Sequence, residues 1–409
     1  MTVDTGGVDT DRLVRELETL AEFSDAPAPA VTRVVYSEMD RRAREYVKGL
    51  CAGAGLVVRE DAVGNTFARW VGTEPEQAAV GTGSHIDAIP HAGRYDGTVG
   101  VLGGLEAIRA LQRSRVKPRR SIELLIFCAE EPTRFGIGCF GSRMLAGLLD
   151  GSELRDRDGK TLEQWRPGAL SGVRLPAGCY AAFIELHIEQ GPLLEREGIP
   201  LGIVTAIAAP ATWRITVEGE GGHAGALLMP DRRDAFCAAA EIVLAVERAV
   251  TDVRAATGAI DAVGTVGVCD VFPGAVNSVP SRVRLEMDVR DIDGARRDRV
   301  LADIERACAE VAARRRVKVG REVVNADPPA VCDARVVEAL GRAASGLPFR
   351  KMVSRAYHDS LFMARIAPTG MLFIPCRGGV SHRPDEYASP EAITTGVAVL
   401  AAALAELAK

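Results

Sequence analysis

The residues able to do chemistry sit in four clusters. The first is Gly83-Ser84-His85-Ile86-Asp87, followed by Gly93-Arg94-Tyr95-Asp96-Gly97. His85 follows a short apolar strand, so its ring projects from the strand's end. Asp87, two residues on, is suited to holding the other ring nitrogen and fixing the tautomer. Asp96 lies between glycines at the mouth of a helix, where little bulk blocks a metal; read alone, it fits a turn or N-cap equally well. The second cluster, Cys128-Ala129-Glu130-Glu131, sets two carboxylates side by side at a strand end, which is costly unless something positive lies between them. One can ligate a metal while the other faces the attacking water; a solvated acidic loop is the plain alternative for the pair in isolation. In the third, Glu185-Leu186-His187-Ile188-Glu189-Gln190-Gly191-Pro192, alternation points Glu185, His187 and Glu189 to one face. That is unusual for a buried strand unless the face meets a metal. The fourth is the polar loop Gly379-Val380-Ser381-His382-Arg383-Pro384-Asp385-Glu386.

The six histidines, His85, His91, His187, His223, His358 and His382, all lie in or beside segments rich in Gly, Asp, Glu or Pro. A single such His is more often a satisfied core or surface residue, but that explanation is poor for all six together. The clusters offer three His, one Asp and one Glu, with a spare Glu. Mixed imidazole and carboxylate donors suit Zn, Mn, Co or Fe(II), not Ca or a thiolate site. Five ligands exceed what one catalytic zinc with open positions uses. They fit two metals about 3.5–4 Å apart, bridged by a carboxylate and a water.

The elements that must position these groups alternate. Helices are predicted over Arg12–Ala21, Glu38–Ala52 (capped by Ser37) and Thr98–Arg113, and strands over Leu56–Arg59, Asn65–Val71, Ala79–Ser84 and Ser121–Cys128. Residues 150–180 read as a surface excursion around a short helix, and Phe183–His187 as another strand. Polar motifs at strand ends are where α/β sheets place their sites. Near residue 210 the character changes: strand Trp213–Glu218, long helix Asp231–Val250, strands Thr265–Val271 and Arg282–Arg290, and helix Gly294–Arg315. The alternation of the first part resumes after about residue 326 and ends in helix Pro390–Ala408, with Ser389 as N-cap. The expected fold is therefore α/β, with a sheet-based domain formed by residues 1–209 and 327–409 and a smaller α/β insertion over 210–326.

Composition bounds the rest. Lys and Arg number 50 against 55 Asp and Glu, a net charge of −5, which argues against nucleic acid as the main partner. No apolar run reaches about 18 residues, so no membrane span is expected. The stretch Met1–Asp11 is acidic and lacks the apolar core of a secretory signal. Nine scattered cysteines without a C-x-x-C pair read as reduced thiols in a cytoplasmic protein.

At this point the chain resembles a known family, the two-domain, metal-dependent M20 aminoacylase-like hydrolases. The similarity lies within the branch holding allantoate amidohydrolases, N-carbamoyl-L-amino acid hydrolases and ureidoglycolate amidohydrolases, and is nearest to the last. It is carried by Ile86 to Pro90, Glu130-Glu131-Pro132-Thr133-Arg134-Phe135-Gly136-Ile137, Glu185 to Pro192, Val204 to Pro210, Gly222 to Ala226, Met229-Pro230 and Arg355-Ala356-Tyr357-His358-Asp359-Ser360-Leu361-Phe362-Met363-Ala364-Arg365. It runs from about Arg33 to the C-terminus.

The resemblance implies roles. His85, Asp96 and His187 would hold one metal, and Asp96, Glu131 and His382 the other, with Glu130 as general base. Manganese is the expected metal, with zinc, cobalt or nickel as alternatives. The insertion becomes a lid that also forms the homodimer, so that His223 reaches the partner's site. Asn277 and Arg290 would bind the substrate carboxylate; beside Asp288 and Asp291, Arg290 also fits a surface ion pair. Gln190, Tyr357 and His358 would complete the pocket. The implied reaction is hydrolysis of a ureido C–N bond in a small ureido acid, foremost (S)-ureidoglycolate. Rivals are N-carbamoyl-L-amino acid or allantoate hydrolysis, a relative recruited to specialised metabolism, a dipeptidase, and an inactive binding homologue. The chain starts close to its first helix, without the targeting extension expected of plant relatives, which supports a cytoplasmic enzyme. His91 and the Cys376-Arg377-Gly378-Gly379 turn depart from the plant pattern expected at the pocket rim.

Overall fold

The computed structural model describes residues 7–258 and 261–409. Met1–Gly6, part of the acidic N-terminal stretch read above, lies outside the described residues. The chain divides into two compact units, one of residues 1–205, 331–354 and 358–409, the other of residues 206–330 and 355–357.

The first unit is built on a mixed sheet. Its central strands are Ala79–His85, Ile122–Phe127, Tyr180–Ile188 and Thr369–Ile374. Ala79–His85 pairs in parallel with both Ile122–Phe127 and Tyr180–Ile188, and Thr369–Ile374 pairs in parallel with Tyr180–Ile188. These strands are buried along their length, as parallel strands covered on both faces must be. Antiparallel strands flank them: Thr66–Trp70 and then Val57–Glu60 on one side, Leu201–Ile207 on the other. Helices Thr98–Arg113 and Pro390–Leu407 pack side by side against the sheet, and Pro390–Leu407 also meets Ala334–Ala343. Pro390–Leu407 starts under a Ser389 cap, the hydroxyl accepting the Ala392 N–H. Despite the expectation of no such segment, this helix is long and apolar enough to cross a membrane by length and composition. Its apolar side chains instead pack into the core of this unit.

The second unit is a four-stranded antiparallel sheet in the order Val263–Phe272, Arg282–Asp291, Ala209–Glu218, Lys318–Ala326. Arg282–Asp291 alternates buried and open positions, so Val283, Leu285, Met287 and Val289 enter a core with helices Ala235–Thr257 and Gly294–Arg315. The first helix begins at Ala235, not at Asp231 as the sequence suggested. The Asp234 carboxylate accepts the N–H groups of Phe236 and Cys237, and Met229–Asp231 forms a separate 3₁₀ turn.

Candidate metal and catalytic site

The site lies at the C-terminal ends of the parallel strands, where their loops converge. His85 ends the first of these strands, and His187 is next to last in another. Glu130 and Glu131 follow strand Ile122–Phe127 through Ala129, whose φ of 49° is left-handed and strained for a residue with a Cβ. The kink is held from three directions. Arg44 Nη2 donates to the Phe127 carbonyl, the Cys128 N–H donates to Asn65 Oδ1, and the Asp87 carboxylate accepts the N–H groups of Glu130 and Glu131 at 3.2 and 3.0 Å.

Asp87 stands at the other His85 ring nitrogen, as its spacing suggested, and meets it chiefly through the main chain. Its backbone carbonyl, at 3.0 Å, takes the His85 Nδ1 hydrogen, while its carboxylate stands 3.6 Å from that nitrogen and serves the glutamate backbone. The reach is set by the two-residue spacing, which brings the main chain closer than the side chain. His187 is held in the same way, Nδ1 donating to the Ile188 carbonyl at 2.9 Å. A carbonyl can only accept, so in both neutral rings the proton sits on Nδ1 and Nε2 presents its lone pair.

Both Nε2 atoms face Asp96, and His187 Nε2 also accepts the Gly97 N–H at 3.1 Å. His187 Nε2 lies 3.1 Å from Asp96 Oδ1 and His85 Nε2 3.5 Å from the same oxygen. On the other side, His382 Nε2 lies 3.1 Å from Asp96 Oδ2 and 3.4 Å from Glu131 Oε1. The structure thus forms two candidate metal-holding triads, His85-Asp96-His187 and Asp96-Glu131-His382, which share one carboxylate. Glu130 borders the first, Oε2 being 3.8 Å from His85 Nε2, and its other oxygen accepts from the Cys139 thiol at 3.4 Å.

The donor set fits divalent cations. Burial, with repulsion from Glu131, lifts the Glu130 carboxyl to about 8 against the pull of His85. Burial and the charge of Asp96 lift Glu131 well above the carboxylate range. Asp96 itself stays well below that range despite its burial, because the imidazoles of His187, His382 and His85 all face its carboxylate. Such crowded acids are what a bound cation neutralises. The backbone also leaves room: Gly97 has φ 65°, and a Cβ there would lie 2.4 Å from His85 Nε2. Strained φ values at Gln190 (55°) and His382 (60°) place two further residues of the cluster.

The other expected residues fall as follows. Gln190 Nε2 donates to Asp96 Oδ2 at 2.8 Å, and its Oε1 is buried without a partner. His358 is buried with its ring 4.5 Å from that of His187, and its Nε2 lies 3.0 Å from Ser354 Oγ. Glu185 groups with His187 and His358, but Ser84 and Ser360 already donate to its two oxygens. Glu189 instead accepts the N–H groups of Leu193 and Leu194. In the second unit, exposed His223 sits on a two-residue strand, Gly222–His223, paired with Ser278–Val279 next to exposed Asn277. Arg290 meets Asp288 at 2.7 Å and stacks over Tyr357, its guanidinium carbon 5.5 Å from the ring centroid. His91 is exposed on strand Ala88–Ala92. Sequence reasoning gave no role to Glu386 or Ser381, which buttress Asp96 from the fourth cluster.

A mixed α/β sheet with imidazole and carboxylate donors converging at its strand ends defines a hydrolase equipped to bind metal. The chain belongs to peptidase family M20/M25/M40, whose model matches residues 81–406. It is 52% identical over 417 residues to a ureidoglycolate hydrolase of Arabidopsis thaliana, covering 98% of this chain and 87% of that one. It is 38% identical to an N-carbamoyl-L-amino acid amidohydrolase of Geobacillus stearothermophilus, over 95% and 96% of the two chains. The crystal structure of AtUAH in complex with glyoxylate is similar with a TM-score of 0.90 and 52% identity, over 98% of each chain.

Proposed function

We propose that this protein is a dinuclear-metal amidohydrolase that cleaves the ureido C–N bond of (S)-ureidoglycolate, releasing ammonia, carbon dioxide and an α-hydroxy amino acid, which then loses its remaining nitrogen as a second ammonia to give glyoxylate. The observation that carries the reading is the shared carboxylate: Asp96 turns one oxygen to His85 and His187 and the other to His382 beside Glu131. His85, Asp96 and His187 would hold one ion and Asp96, Glu131 and His382 the other, with manganese the expected metal and zinc, cobalt or nickel able to substitute. Bound there, the metals would supply a polarised carbonyl and a water acidified towards neutral pH.

The chain's own residues do the rest. Glu130, set apart from the second triad and steadied by Cys139, takes the proton of the attacking water and hands it to the departing nitrogen. Gln190 must turn its amide nitrogen to Asp96, since a carboxylate only accepts. Its buried Oε1 is then an acceptor waiting for an N–H, which a ureido group supplies and a simple ester does not. Arg290 and Asn277 would grip the substrate carboxylate, with Tyr357 and His358 lining the pocket. His223 would stabilise the oxyanion in the partner subunit's site, which makes residues 210–326 a lid and the contact of a homodimer. The ureidoglycolate hydrolase and the AtUAH glyoxylate complex support this choice of substrate and product. Nine unpaired cysteines fit a reducing, cytoplasmic setting.

The test is a substrate panel. Manganese-loaded protein is given (S)-ureidoglycolate, allantoate and an N-carbamoyl-L-amino acid, and ammonia release is followed. Ureidoglycolate should be turned over with the highest kcat/KM. Preference for the N-carbamoyl amino acid would assign the chain to that activity instead.

A further inference from the structure

Glu386 is not among the metal donors, yet it touches both chain segments that deliver them. Its side chain is buried. One oxygen accepts the backbone N–H groups of Tyr95 and Asp96 at 2.7 and 3.0 Å. The other accepts from the Ser381 hydroxyl at 2.8 Å. Space for it exists because residue 93 is glycine: a Cβ there would lie 2.3 Å from the Glu386 Cβ and 2.4 Å from its Oε1. The turn carrying Asp96 is thereby tied to the loop carrying His382.

Ser381 makes the arrangement more than a clamp. Its Oγ also lies 3.0 Å from Asp96 Oδ2 and receives Gln190 Nε2 at 3.2 Å. A serine hydroxyl has one proton, so it serves Asp96 or Glu386 but not both. Donated to Asp96 Oδ2, that proton occupies the oxygen that faces His382. Donated to Glu386, it leaves that oxygen with the Gln190 amide as its one remaining side-chain donor, at 2.8 Å.

We propose that Glu386 is a positioning residue for metal loading: it fixes the Asp96 turn against the His382 loop and draws the Ser381 proton off Asp96 Oδ2. The inference rests on the reading that Asp96, Glu131 and His382 hold one of two metals. A carboxylate buried only for the fold would need its two backbone N–H partners but no hydroxyl shared with Asp96.

The test titrates metal-free protein with manganese by equilibrium dialysis, with electron paramagnetic resonance reporting the spin coupling of a metal pair. Glu386→Gln keeps a carbonyl for the two N–H groups but turns an amide donor towards Ser381, forcing the hydroxyl proton onto Asp96. One equivalent should bind as in wild type and the second about 10–100-fold more weakly, the usual range for losing an outer partner of a ligand. Adding Ser381→Ala removes the competing proton and should win back most of that loss. Gly93→Ala, which crowds Glu386 aside without altering it, should reproduce the selective weakening. Two wild-type-like equivalents in Glu386→Gln, equal loss of both, or a double variant no better than Glu386→Gln would each overturn the role of Glu386 alone. Fewer than two equivalents in wild type would overturn the dinuclear reading, and this role with it.

Discussion

Gly97→Ala probes how tightly the backbone is fitted around the proposed metals. The new Cβ would sit 2.4 Å from His85 Nε2 and 2.5 and 2.6 Å from the adjacent ring carbons, where ordinary contact begins at 3.4 Å. The ring must therefore retreat by about 1 Å, since close-packed interiors leave no such overlap. Zinc–imidazole bonds are about 2.0–2.1 Å long and tolerate little displacement. The shift would take His85 out of reach of any ion held by Asp96 and His187. Losing an outer partner of a ligand costs about 10–100-fold in metal affinity, and losing the ligand should reach at least the upper end of that range. The backbone at position 97, φ 65° and ψ −43°, is close to the strained γ-turn conformation and adds about 1–3 kcal/mol of global destabilisation once the residue carries a Cβ. Plasma mass spectrometry after dialysis would count the metals, and circular dichroism would confirm the fold. The expected result is one tightly held metal and ammonia release reduced by at least about 100-fold, in step with metal loss. A folded variant with two tightly held metals and wild-type turnover would show that His85 is not held against Gly97 as described, because the ring would then have another way to reach them.

Further outcomes follow from the same geometry. Glu130→Gln should keep both metals yet lose about 10²–10⁴-fold in kcat, as an amide cannot accept the proton; Glu131→Gln should instead weaken one metal site, and exchanged phenotypes would invert the assignment within the pair. Mixed dimers of His223→Ala and Glu130→Gln subunits should regain activity, and none despite proven subunit exchange would mean a site closed within one chain. Arg290→Lys and Asn277→Ala should cut kcat/KM for the ureido acid far more than for its amide, and equal losses would make Arg290 the partner of Asp288 only. Arg44→Met should lower the unfolding free energy by about 3–5 kcal/mol in urea titrations, because it leaves Asp40 buried and unpaired and releases the Phe127 carbonyl; a loss under about 1 kcal/mol would show that the pair does not brace the kink.

The mixed α/β fold was legible because apolar strands end in polar clusters, and those clusters are where His85, Glu130, Glu131 and His187 stand in space. His382 and Asp96, in turns, were legible only as members of a set. Strand Lys318–Ala326 escaped notice because it is an edge strand open to solvent along most of its length and carries no clean alternation. Strand Ala88–Ala92 pairs with Val31–Arg33, a long-range partner that no local pattern signals. The substitution of the Asp87 carbonyl for its carboxylate at His85 depends on about half an ångström of reach, below what spacing resolves. Glu386 was hidden for a different reason. Its partners include backbone N–H groups some 290 residues away, and a backbone group has no residue type to read.

On the reading proposed above, two metals sharing Asp96 make this chain a ureido hydrolase. The most direct measurement is a titration of stripped protein with manganese while ammonia release from (S)-ureidoglycolate is recorded. Activity should be absent without metal, remain low through the first equivalent and rise to a plateau at the second. Full turnover by metal-free protein, or a plateau at one equivalent, would contradict it.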